Sequence, residues 1–168
     1  ASINTIKKII SESGVSADDI CGVGISGQMH GLGMLDENNE VIRKSIIWCD
    51  QRTAKECEEI TEKVGKERLI EITANPALTG FTASKILWVR NNEPDNYKKC
   101  RHILLPKDYV RFMLTGEYAT DVSDASGMQL LDVPNRCWSD EVVEKLEDEE
   151  PKKEVKKVAK NKPKKSTK

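Results

Sequence analysis

The sequence predicts an α/β fold, with short strands and turns in the first third and helices joined by brief connections through residue 146. Three observations carry this reading. Ile20-Cys21-Gly22-Val23-Gly24-Ile25-Ser26 is an apolar, glycine-rich run of strand length, of the kind buried on both faces. Leu32 to Leu35 and Val41 to Trp48 are two further apolar runs, separated by the turn-forming Asp36-Glu37-Asn38-Asn39-Glu40. Beyond Asp50 the apolar residues recur at helical spacing, punctuated by proline and glycine.

The elements follow in order. Ser2 can cap a helix whose Ile3, Ile6, Ile9 and Ile10 share a face, with Gly14 just past its end. Asp18-Asp19 lead into the Ile20 to Ser26 strand, and a glycine-flanked loop, Gly27 to Gly31, connects it to the next. Asp50 or Thr53 opens a helix through about Val64, and Lys66 to Ile72 make a shorter one. Thr82 opens another, containing Ile86, Leu87 and Val89, with Pro94 after its end. Ile103-Leu104-Leu105 reads as a short strand, and Pro106 starts a helix that Gly116 terminates. Glu117 to Val133 return to strand-like and loop character.

At 168 residues the chain has room for one ordinary domain. The formal net charge of −1 hides two unlike parts. Residues 1–146 mix apolar periodicity with dispersed charge. The stretch 147–168 is acidic and then lysine-rich, with almost nothing apolar, so disorder is expected there. The five cysteines, Cys21, Cys49, Cys57, Cys100 and Cys137, show no paired spacing, which points to free thiols in a reducing compartment. Cys100-Arg101-His102 has no second half, so no metal site is expected. No apolar run approaches the roughly 18 to 20 residues of a membrane span, and no signal-peptide pattern opens the chain. A cytoplasmic location without membrane association is expected.

Several motifs invite chemistry. Gly22-x-Gly24-x-x-Gly27 matches the dinucleotide fingerprint in letters only, because its glycines lie inside the strand and no helix pattern follows. Thr79-Gly80-Phe81-Thr82-Ala83-Ser84-Lys85 has a phosphate-binding flavour but lacks the second glycine before its lysine, and reads better as a loop and helix start. Met29-His30 is more informative. A histidine both donates and accepts hydrogen bonds to hydroxyls, and a methionine covers an apolar carbon face. Alone, such a histidine is more often structural, and Trp48 is more often core. Asp50 with Arg52 is most simply a helix-start carboxylate and a local ion pair. From these residues alone, a concave polar site at strand ends follows, with its ligand open.

The order of motifs adds a resemblance. Gly24-Ile25-Ser26-Gly27-Gln28-Met29-His30-Gly31 and Ile46-Ile47-Trp48-Cys49-Asp50-Gln51-Arg52 resemble the GI-x-GQMHG and I-x-W-x-D-x-R segments of the FGGY carbohydrate kinases, in their xylulokinase branch. Gly80 to Trp88 resembles the branch's GFTAPKLLW, and Leu104 to Tyr109 its LLPKDY. Thr115 to Gly127 resembles TGEFASDMSDAAG, and Leu131-Asp132-Val133 with Trp138-Ser139 continue the match. The Met-His pair separates this branch from the glycerol kinases, which place Arg-Glu there.

The resemblance implies a partial ribonuclease H-like domain of the actin/hexokinase type over 1–146, lacking its first strands. It implies that Met29 and His30 contact the ketose D-xylulose, with Gln28 supporting the loop and Trp48 lining the pocket. Asp50, Arg52 and Phe81 would stand behind these or at the pocket edge. ATP and Mg2+ are implied for the intact enzyme, with no tight binding of either to this chain. The catalytic base is expected downstream, in a Gly-Gly-Asp-Asn segment, so Asp121 and Asp124 are not assigned that role. Family members are often dimers. The resemblance begins after the family's Asp-x-Gly-Thr hairpin and stops near Leu146, which leads to the expectation that the chain alone is inactive. With the Cys21 to Ser26 strand unpaired, marginal stability or self-association is expected as well.

Two alternatives stand beside this reading. One is a kinase for another sugar of the family. The other is a non-catalytic sugar- or partner-binding protein whose basic tail contacts polyanions; nucleic-acid recognition is not expected, because no aromatics interleave the lysines.

Overall fold

A computed structural model describes residues 1–147; the acidic-then-basic tail expected from sequence lies outside the described residues from position 148 onward. The elements are α1 (Ser2–Ser13), a 3-10 turn (Ala17–Asp19), β1 (Gly33–Leu35), α2 (Ala54–Val64), α3 (Lys66–Thr73), α4 (Thr82–Asn92) and α5 (Pro94–Lys99). They continue with β2 (His102–Leu104), α6 (Pro106–Thr115), α7 (Val122–Ala125), a second 3-10 turn (Ser126–Met128), β3 (Leu131–Asp132), β4 (Cys137–Trp138) and α8 (Asp140–Leu146). None of the helices described is long and apolar enough to cross a membrane.

Local chemistry explains the boundaries. Helices α1 and α6 end at Gly14 and Gly116, whose φ of 70° and 72° is the left-handed conformation that costs glycine nothing. Pro94 and Pro106 sit in the first turns of α5 and α6, where a missing N–H leaves no bond unmade. The Ser139 hydroxyl accepts the Val142 N–H at 3.2 Å and so caps α8. In the turn after β1, one Asp36 carboxylate oxygen accepts the N–H groups of Asn38 and Glu40 at 2.8 and 2.9 Å.

Strands β1 and β2 pair antiparallel, with Gly33 opposite Leu104 and Leu35 opposite His102. Side-chain alternation sends the two faces of β1 to different partners. Leu32 and Met34 pack with Ile46 and with Val89 of α4, whereas Leu35 packs with Leu104 and with Phe112 of α6. On its other side α4 contributes Ala83 and Leu87 to a helical core with Ile60, Val64, Leu69, Ile72, Val142 and Leu146. Helix α4 is thus buried between the small sheet and the helical layer. A third cluster, Leu105, Ala125, Met128 and Leu131, ties the α7 region to the end of β2.

Two expected strands take a different form. Val41 to Trp48 is reduced to isolated bridges, Leu35 with Val41 and Leu32 with Ile46. Between them Arg43 makes a two-bond contact with Glu93 at 2.8 and 3.0 Å and donates to the Lys44 carbonyl at 2.6 Å. Ile20 to Ser26 forms no strand, and Val23 is 66% exposed instead of buried. A strand requires a neighbour, and no described strand lies beside this segment. Helix α1 likewise buries none of its residues.

Candidate functional site

The loop at 27–31 runs from the extended segment into β1 across the start of α6. Contact is close: a Cβ at Gly31 would clash at 2.5 Å from Pro106 Cγ, and one at Gly27 would press on Lys107 Cβ at 3.2 Å. Within this loop His30 adopts φ 61°, a left-handed conformation that costs a non-glycine residue of order 1–3 kcal/mol and persists only when its surroundings hold it.

The holding groups come from α4 and the α7 region. The His30 carbonyl accepts from Lys85 Nζ at 2.7 Å and from Thr82 Oγ1 at 3.3 Å. The imidazole meets the Phe81 ring edge-on, with centroids 4.7 Å apart and planes at 89°. Its other side lies against Gly127, where a Cβ would fall 2.0 Å from His30 Cε1. Nδ1 is buried.

The electrostatics favour an uncharged imidazole. Burial lowers the His30 pKa and the Lys85 charge lowers it further, against smaller opposing pulls from Asp124 and from the Gly127 backbone. A neutral ring has one donor and one acceptor nitrogen, the combination that suits a hydroxyl. Lys85 is itself fully buried, and that burial pushes its pKa down to about 8. Next to the loop, Lys107 Nζ lies 2.8 Å from Asp108, 2.7 Å from Asp121 and 3.2 Å from Asp124. Burial opposes the charge on Lys107, but its hydrogen bonds to Asp108 and Asp121 outweigh this and raise its pKa above the usual lysine value. The same contact holds the Asp121 carboxyl below its usual range. Asp124 is buried, and its Oδ1 has no hydrogen-bond partner among the described residues.

The residues singled out from sequence divide in two. His30 and Phe81 are brought into ring contact. Trp48 joins them through the backbone, since a Cβ at Gly80 would lie 3.3 Å from the Trp48 carbonyl oxygen. The Trp48 side chain is 56% exposed and that of Met29 57%, and Gln28 is exposed beside them. Asp50 and Arg52 face each other at 2.8 Å, with the guanidinium 4.7 Å above the Trp88 ring. They form the local ion pair that is the simpler reading of their spacing, and the contact holds the Asp50 carboxyl below its usual range.

Lys107 and Gly127 carry no clear signal in the sequence, and Lys85 and Asp124 are weighed there only for phosphate contact and for catalysis. The lysines lie within motifs whose letters do not reveal which way a side chain turns. Nothing near Gly127 in the sequence announces the histidine that packs on it.

The described residues offer no ready-made cation site. Among them no group of three or more His, Cys, Asp or Glu side chains gathers to hold a metal ion. Asp108, Asp121 and Asp124 are turned on the Lys107 ammonium, which fills the place a cation would take. Lys85, the lysine of the loop with a phosphate-binding flavour, points inward to two backbone carbonyls.

Residues 1–157 match the N-terminal domain of the FGGY family of carbohydrate kinases. The chain is 45% identical over 144 residues to the xylulose kinase of Bacillus subtilis, a match covering 86% of this chain and 29% of that protein. It is 48% identical over 125 residues to the xylulose kinase of Lactococcus lactis, covering 74% of this chain and 25% of that protein. Among solved structures, a xyloylose kinase from Brucella ovis superposes with a TM-score of 0.77 at 41% identity, over 83% of this chain and 29% of that one. The xylulose kinase of Bifidobacterium adolescentis superposes with a TM-score of 0.73 at 27% identity, over 85% of this chain and 34% of that one. The chain therefore spans less than a third of the length of the curated relatives named here, and it shares the α/β fold of the corresponding part of the solved kinases. It belongs to the FGGY family of carbohydrate kinases.

Proposed function

We propose that this chain is the ketose-binding part of a xylulokinase-like enzyme whose whole protein transfers a phosphoryl group from ATP, with Mg2+, to D-xylulose, giving D-xylulose 5-phosphate in the cytoplasm. The observation that carries the reading is His30: a neutral imidazole at φ 61°, fixed by Lys85 and Thr82 through its carbonyl and by Phe81 and Gly127 at its ring. Strain of this kind, held from four sides, suits a side chain that must present its nitrogens in one orientation.

In this reading His30 hydrogen-bonds a sugar hydroxyl and Met29 lies along the carbon chain. Gln28 supports the loop, Trp48 lines the pocket, and Phe81 backs the imidazole. Asp50 and Arg52 stand behind as a fixed ion pair. The buried Oδ1 of Asp124, without a hydrogen-bond partner among the described residues, supports a polar ligand or water nearby, since buried polar atoms are nearly always paired. MgATP, when bound to the whole enzyme, supplies the phosphoryl group. The residues described here bind the sugar and hold the attacking hydroxyl in place, and such positioning is a large part of phosphoryl-transfer catalysis.

The test is sugar-dependent ADP release by the natural protein that contains this sequence, comparing D-xylulose, D-ribulose and glycerol. D-xylulose is expected to be preferred. His30→Ala is expected to raise its KM by roughly tenfold or more, the loss of one or two hydrogen bonds in a desolvated site. Equal turnover of glycerol, or an unchanged KM in the variant, would overturn the assignment.

A further inference from the structure

Among the described residues Lys85 is the largest side chain to be fully buried, and its environment is not that of a stray surface charge. Its Nζ lies 2.7 Å from the His30 carbonyl oxygen and 2.5 Å from that of Gly80. Those two carbonyls belong to different loops. His30 closes the Gln28-Met29-His30 loop, and Gly80 precedes Phe81, whose ring abuts the imidazole. Lys85 springs from the first turns of α4, the helix whose later residues Leu87 and Val89 are locked into two core clusters. One ammonium therefore ties both walls of the His30 position to the most deeply packed helix.

We infer that Lys85 is a positioning residue for His30: by holding the His30 and Gly80 carbonyls together it stabilises the left-handed backbone at His30 and fixes the imidazole against Phe81. The inference deepens the reading of His30 as the sugar-facing group and rests on it for its functional consequence. It also gives the lysine a role other than phosphate contact. A buried ammonium would be costly without compensation, and the two carbonyl acceptors supply it. Asp50 and Cys49 are the acidic groups that face Lys85 electrostatically, and neither makes a hydrogen bond to its Nζ among the described residues. Thr82 adds a second, longer donor to the same His30 carbonyl from the same helix turn.

The experiment exploits the fact that the full 168-residue chain has only two histidines, His30 and His102. Imidazole nitrogen-to-proton correlation spectra therefore show two ring systems, with His102 as an internal control stacked on Tyr118. In Lys85→Met the His30 signals are expected to shift or split while those of His102 stay in place. His30 signals that coincide with those of the parent chain would overturn the inference. Should the variant fail to fold, the unsubstituted chain still decides. A through-hydrogen-bond coupling between Lys85 Nζ and the His30 carbonyl carbon is expected, and its absence from a well-resolved lysine side-chain spectrum would overturn the inference too.

In the natural protein the same variant is expected to raise the sugar KM roughly ten- to hundredfold, the usual effect of losing a hydrogen bond to a charged group. KM for ATP is expected to stay within about twofold, because the Lys85 ammonium is engaged by the His30 and Gly80 carbonyls. A matched rise in both constants would count against positioning. The spectra need no sugar, so the clamp can stand if the ketose assignment falls. If D-xylulose is bound normally while His30 is unmoved by the substitution, the clamp alone falls.

Discussion

Replacing Gly127 with alanine tests the geometry of the His30 position more directly than removing the histidine. The new Cβ would lie 2.0 Å from His30 Cε1 and 2.2 Å from Nδ1. Carbon atoms in ordinary contact sit at about 3.5 Å, so the ring must withdraw by about 1.5 Å. Retreat toward Phe81 is blocked, because those rings already meet edge-on at 4.7 Å. The backbone cannot follow while Lys85 and Thr82 hold the His30 carbonyl. What remains is rotation of the imidazole outward, which is open because His30 is only partly buried. The stability cost is then that of modest overpacking, about 1–3 kcal/mol. Urea unfolding of the 168-residue chain reads that cost, and imidazole spectra read the displacement. In the natural protein the sugar KM is expected to rise roughly tenfold or more as the ring leaves its place. A Gly127→Ala variant whose His30 signals, stability and sugar KM all match the parent would refute the placement of His30 on Gly127.

Further outcomes follow from the same site. Lys107→Met leaves the buried Asp124 carboxylate without its lysine and Asp108 with only Arg111 at 3.8 Å, and is expected to cost about 3–5 kcal/mol by urea denaturation; a loss below 1 kcal/mol would refute the central role of that ammonium. His30 has a folded-state pKa below its ordinary 6.5, so on acidification the unfolded chain takes up the proton first, and stability falls as pH drops through 6.5. His30→Asn, which tolerates the left-handed conformation, is expected to flatten the change in Tm between pH 7.5 and 5.5 relative to the parent, and an identical pH profile would remove His30 as its source. Arg52→Ala disrupts a partly exposed ion pair and is expected to change stability by no more than about 1 kcal/mol in thermal unfolding; a loss of several kcal/mol would show the pair to be structural.

The helices were legible wherever their ends carry chemistry of their own. Gly14 and Gly116 adopt the left-handed caps that their positions announce, and Pro106 opens α6. Pro94 shows the limit of such signals. It reads as the end of α4, yet it also begins α5, because the same fixed φ suits a first helical turn. The stretch after Glu117 reads as strand-like, but the Asp121 side chain accepts the Asp124 N–H at 3.0 Å and starts a short helix there. Strands were less legible for a physical reason. A helix satisfies its backbone internally, whereas the apolar run at Ile20 to Ser26 needs a partner that composition cannot supply.

The site was legible to the extent that it is local. The loop motif and Phe81 could be picked out, while Lys85, Asp124 and Gly127 act on His30 from distant parts of the chain. This division follows from how the strain is carried. A left-handed histidine is unfavourable on its own, so its geometry must be enforced by tertiary contacts, which a linear motif does not display. The enforcing contacts converge on α4, whose first turns hold the loop and whose Leu87 and Val89 hold the core. The loop therefore takes its rigidity from the helix beneath it. Substitutions in the first turns of α4 should loosen the His30 position while leaving the core packed. Substitutions at Leu87 or Val89 should weaken both together, because they move the platform on which the clamp is built.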